Sequence, residues 1–210
     1  MVLSMVKTKK WSWVMFLSIA VGALVAFTMS AGVTVGVASA YNDTGSLPCK
    51  WWHSSNTALE PEYRYHPLYP PTGSYLSAYN AAIADWNSSD TPVNFDYDTG
   101  QTAHTIGVKN TGSNGHWGYT YWRCWNFGKR SYTYAYINSG RVPSNASYAI
   151  RRGVAAHELG HYIGLSHSLH APAIMDVRDP VGAIYQVKLD DECGVNDRYT
   201  HSSYPVDCSY

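Results

Sequence analysis

The chain predicts an α+β fold built on one mixed, twisted sheet, with a central helix and a C-terminal helix. Three observations carry this. Tyr75, Tyr79, Ala82 and Trp86 recur at helical spacing. Short aromatic-rich runs between Val93 and Ile137, broken by Gly and Asn, read as strands. A second helical stripe, Ala155, Leu159 and Tyr162, stops at Gly164, and an irregular stretch then runs to about Leu189. With 210 residues and 45% hydrophobic content, the chain can bury one core of ordinary size but not two.

Residues 1–40 read as a signal peptide. Lys7, Lys9 and Lys10 form a basic start, no charged residue occurs from Trp11 to Ala40, and Ala38-Ser39-Ala40 offers a small-residue cleavage site before Tyr41. The apolar stretch is long for such a leader, so an uncleaved anchor is the competing reading. Gly22, Thr28, Ser30, Gly32 and Thr34 weaken a spanning helix. Residues 41–210 then form a single exported domain, expected outside the cell.

Pro48, Pro61, Pro67, Pro70 and Pro71 make residues 41–72 extended chain, with Trp51 and Tyr65 beginning or flanking a first strand. The first helix runs from Tyr75 to Trp86, and Ser74 can cap it. Strands are expected at Val93–Phe95, His104–Val108, Gly118–Trp122 and Tyr132–Ile137. The second helix begins near residues 144–147 and ends at Gly164. A glycine there can take positive φ and turn the chain back.

That helix carries the most specific pattern in the chain, His157-Glu158-Leu159-Gly160-His161-Tyr162-Ile163-Gly164-Leu165-Ser166-His167. Residues four apart share a helix face, so His157 and His161 can reach one ion. The turn at Gly164 lets His167 add a third imidazole. Three neutral nitrogens suit Zn²⁺, and three protein ligands rather than four mark a catalytic more than a structural site. Glu158 sits beside the ligands and is placed to act as a general base on water.

The pattern resembles the metzincin signature, H-E-x-x-H-x-x-G-x-x-H followed by a Met-turn. Ala173-Ile174-Met175-Asp176 is similar to that turn. Ser168 after the third histidine, and Val177 two residues after Met175, set the chain apart from astacins and serralysins and make it most similar to the matrixin group. The resemblance implies a metzincin-like catalytic domain with an active-site helix. It implies a zinc endopeptidase with His157, His161 and His167 as metal ligands, Glu158 as catalytic base and Met175 as the floor beneath the ion. It further implies substrate lying along an edge strand, His116–Tyr121, and an apolar pocket wall at 179–185. Ala135-Tyr136-Ile137-Asn138 resembles the strand before the active-site helix, and Leu189-Asp190-Asp191-Glu192-Cys193-Gly194-Val195 the start of the last helix. The chain departs from animal matrixins in lacking a recognisable prodomain, and Leu47-Pro48-Cys49-Lys50 does not match their latency motif. The rival reading is a non-catalytic zinc-binding module on the same fold, which the intact Glu158 disfavours.

All four cysteines follow the leader, which suggests two disulfides in an exported protein. Three pairings are possible, and Cys49–Cys124 with Cys193–Cys208 is preferred. The leader holds three lysines and no acid, leaving 12 basic and 15 acidic residues, a net of −3. Nucleic acid is therefore not an expected partner. A protein or peptide substrate is, and the chain should act as a monomer without stable membrane association once the leader is removed. Calcium is possible at Asp96 and Asp98, but a solvated loop is the simpler reading. His53, His66, His104, His116, His170 and His201 are expected not to be ligands. The leader has a bacterial style, so the sequons at Asn42, Asn87 and Asn145 are expected to stay unmodified.

Overall fold

The computed structural model describes residues 51, 59–100, 102–124, 130–169, 172–176 and 184–199. Their backbone runs β1 (Glu62–Tyr65), α1 (Gly73–Asn87), β2 (Asp96–Tyr97), β3 (His104–Lys109), β4 (Gly118–Cys124), β5 (Arg130–Asn138), α2 (Tyr148–Ile163) and α3 (Leu189–Tyr199). The strands form one sheet in the order β2-β1-β3-β5-β4. Neighbours are parallel except at β4, which runs antiparallel to β5 along the sheet edge. The α+β expectation, a mixed sheet with an active-site helix and a C-terminal helix, holds.

Alternation sorts the two faces of the sheet. Ile106, Ala135 and Ile137 point to one side and join a buried cluster with Tyr79, Ala82 and Trp86 of α1 and Val154, Leu159 and Tyr162 of α2. Tyr134 and Tyr136 point to the other side, where Tyr136 stacks on Tyr119 with ring centres 5.9 Å apart. The buried polar tips of α1 find backbone acceptors. Tyr79 Oη donates to the Gly107 carbonyl at 3.0 Å, and Trp86 Nε1 donates to the Ala156 carbonyl at 3.0 Å. The second bond pins α1 to α2 one residue before His157. A bidentate Arg152–Asp85 pair, 2.8 and 2.5 Å, adds a polar link between the same helices.

Two local expectations are corrected. Ser74 does not cap α1: Thr72 holds the cap position without a side-chain bond, and Ser74 Oγ instead donates to the Ser144 carbonyl at 3.3 Å. The strand expected at Val93–Phe95 forms one step later. Val93 makes only an isolated bridge to Leu59, Phe95 is buried, and regular pairing begins at Asp96. Trp51 lies outside any strand, stacked on Tyr162 at 5.5 Å.

Candidate metal centre

α2 starts and stops where its sequence dictates. Ser147 caps it, its side chain accepting from Ile150 N. At the other end Gly164 adopts φ 99°, Gly164 N donates to the His161 carbonyl and Leu165 N to the Gly160 carbonyl, both at 2.9 Å. This crossed pair is a Schellman turn. A side chain at 164 would also collide: a Cβ would stand 2.6 Å from Arg198 Nε and 2.7 Å from Arg130 Nη2. The remaining C-terminal carbonyls of α2 are met by side chains. Tyr162 O accepts from Trp51 Nε1 at 2.9 Å and from Arg130 Nη1, and Ile163 O accepts from Tyr199 Oη at 2.5 Å.

The reversal brings three imidazoles together. His167 Nε2 lies 3.1 Å from Nε2 of His157 and 3.1 Å from Nε2 of His161. Among the described residues these three form a group able to hold a metal ion. Their tautomers support the fit. His157 Nδ1 faces the Ile174 carbonyl and His161 Nδ1 faces the Leu165 carbonyl, each at 2.8 Å. A carbonyl only accepts, so both Nδ1 atoms carry the proton and both Nε2 atoms present lone pairs. Protonation does not relieve this convergence. Burial pushes His157 down to about 4, and burial with the two neighbouring rings drives His161 well below its ordinary value. A cation does relieve it. Nitrogens about 2.0–2.1 Å from a tetrahedral ion stand about 3.3 Å apart, close to the separations seen.

Glu158 is buried against β4. Thr120 Oγ1 donates to its Oε2 at 2.6 Å, and Gly118 offers bare backbone to the carboxylate. Burial pushes Glu158 up to about 8, the Thr120 bond acting against it. Met175 lies on the other side of α2. It is 2% exposed, and a Cβ on Gly160 would stand 2.3 Å from its Sδ. Ser168 N donates to the Met175 carbonyl at 2.8 Å, so the third-histidine loop and the Met-turn are tied together.

Asp191 of α3 completes the support. Its Oδ2 accepts from Ile174 N at 2.9 Å and Lys188 N at 3.0 Å, and its Oδ1 from Met175 N at 3.0 Å. It thereby fixes the residue whose carbonyl orients His157. Sequence reasoning missed this role, as it missed Gly118 and Thr120. An acid in the first turn of a helix reads as ordinary dipole complementation, and a Gly and a Thr in a strand carry no chemical flag.

The other described histidines pack against aromatic rings. His104 rests 4.4 Å from Trp51, His66 4.7 Å from Tyr134, and His116 5.5 Å from Tyr119. His53, His170 and His201 lie outside the described residues. Asp98 spends its carboxylate on Gly100 N and Thr102 N, at 2.6 and 3.2 Å, which is a turn-forming role. Cys124 and Cys193 are both disulfide-bonded, while Cys49 and Cys208 fall outside the described residues. The expected pocket wall at 179–185 is described only at Ile184 and Tyr185.

A mixed sheet with an antiparallel edge, a helix carrying two imidazoles and a glycine turn returning a third define a metzincin-like fold and metal site. The matrixin family model matches residues 82–200, and the chain belongs to that family of zinc metalloproteases. No curated protein matches the chain.

Proposed function

We propose that this protein is a secreted zinc-dependent endopeptidase in which His157, His161 and His167 hold one Zn²⁺ and Glu158 is the general base. The observation that carries this is the convergence of three Nε2 atoms, two of them fixed as lone-pair donors by backbone carbonyls, with a buried carboxylate on the residue that follows His157. What Zn²⁺ supplies when bound is Lewis acidity toward water and the peptide carbonyl. Glu158 takes the proton of the attacking water and hands it to the leaving amine. The protein or peptide substrate lies extended along β4, whose outer edge has no partner strand among the described residues.

The rival, a zinc-binding module without activity, predicts no chelator-sensitive proteolysis. Casein cleavage by the purified protein is expected to vanish with chelator and return with Zn²⁺. Glu158→Ala is expected to keep stoichiometric zinc and lose at least about 100-fold in kcat. Full activity in that variant removes Glu158 from its role, and inactive wild type with zinc bound favours the rival.

We further propose that residues 1–40 direct export and are removed, leaving a monomeric domain that begins at Tyr41. The participation of Cys124 and Cys193 in disulfides supports an oxidising destination. N-terminal sequencing of the exported protein checks the cleavage point, and peptide mapping checks the pairing Cys49–Cys124 with Cys193–Cys208.

A further inference from the structure

A glutamate near the middle of a helix has several rotamers open to it, and a base serves only in one of them. Two residues of β4 select that rotamer. Gly118 and Thr120 are two apart, so they present to the same side of the strand, toward α2. At Gly118 a Cβ would stand 2.4 Å from Glu158 Oε1, 2.5 Å from Cγ and 2.7 Å from Cδ. The carboxylate therefore lies directly on backbone. Thr120 Oγ1 is 2.6 Å from Glu158 Oε2 and 3.1 Å from the Glu158 carbonyl oxygen. A hydroxyl has one proton to give, and the shorter contact, to the carboxyl oxygen, takes it. Both Thr120 and Glu158 are buried, so water is a poor substitute for this bond.

We propose that Thr120 is a positioning residue for the general base. Its hydroxyl occupies Oε2 and fixes the carboxylate plane, so that Oε1 is the atom that receives the proton. Gly118 makes the room this pose needs. The inference rests on Glu158 being the base. On this reading β4 has two roles, since the strand offered to substrate along its edge also aims the catalytic group behind it.

The test compares Thr120→Val, Thr120→Ala and Thr120→Ser in the full exported protein, with a fluorogenic peptide as substrate and zinc content measured on each. Val keeps the shape and removes the hydroxyl, Ala removes both, and Ser keeps the hydroxyl alone. The expected result is a fall in kcat of about 10- to 100-fold for Val and Ala, with KM within about twofold and zinc unchanged. Ser should recover kcat to within about threefold of wild type. Wild-type kcat in Val or in Ala overturns the inference, as does a Ser variant no better than Ala. If Val fails to fold, the Ala–Ser comparison decides alone. Glu158→Gln is assayed alongside. Activity retained there defeats the base assignment itself, whereas an inactive Gln variant beside a wild-type Thr120→Val defeats only the positioning role.

Discussion

Asp191 should make the protein less stable as pH rises from about 4 to about 6. Burial pushes its carboxyl up from 3.8 to about 6, outweighing the three amide donors that favour the charged form. The folded chain therefore holds the proton more tightly than the unfolded chain throughout that window. Where the native state binds more protons, stability falls with rising pH. The contribution is fully present below 3.8 and is lost as pH climbs through 6. At about 1.36 kcal/mol per pKa unit the loss is about 3 kcal/mol. Asp191→Asn removes the titration. Its carbonyl can still accept from Ile174 N and Lys188 N, but its NH2 cannot accept from Met175 N, so that one bond is lost. The variant should match wild type to within about 1–2 kcal/mol at pH 4 and gain on it by about 3 kcal/mol by pH 8. Urea unfolding of both proteins under chelator, from pH 4 to 8, reads this difference, and every titration the two share cancels. A gap that stays constant, or that moves against the variant as pH rises, refutes the reasoning and shows that the amide donors outweigh burial. Asp191→Ala is the harsher control. It strands three amide donors at about 1 kcal/mol or more each, a loss of about 3 kcal/mol or more. That is a large part of an ordinary domain's roughly 5–15 kcal/mol.

Gly160→Ala should destabilise by about 1–3 kcal/mol and weaken zinc binding, because the new methyl would stand 2.3 Å from Met175 Sδ and displace the Met-turn; thermal melts and metal titration check it, and unchanged values in both refute it. His104 is held down to about 4, first by burial and then by the Arg130 charge. A depressed histidine adds stability that is present above 6.5 and lost as pH falls toward 4. His104→Phe should therefore flatten the acid side of the stability curve, and an acid slope identical to wild type would show that this ring does not contribute to it.

Much of this was legible in the sequence where one residue type admits one explanation. Gly164 marked the end of α2 because only a left-handed turn needs a glycine there, and its φ of 99° agrees. The spacing of His157 and His161 placed two rings on one helix face, and the Gly164 turn returned His167 to them. Residues with several roles open to them were the illegible ones. Ser74 looked like a cap, yet the cap position fell to Thr72 and the hydroxyl found Ser144 instead. Val93 and Phe95 alternated like a strand, but that alternation buries them without regular pairing. Gly118 and Thr120 matter only through Glu158, and Asp191 through Ile174 and Met175. Those partners stand on other elements, and no local pattern records a contact made across so much chain.

The bond from Met175 N to Asp191 has a consequence in time. His157 takes its bearing from the Ile174 carbonyl, and that peptide takes its own from α3, the last described element in chain order. While the polypeptide is being made, the helix bearing two imidazoles precedes its brace by the length of chain from Ile163 to Leu189. The metal centre gains its support only when residue 191 has docked, so a chain cut short before that point lacks the buttress behind His157.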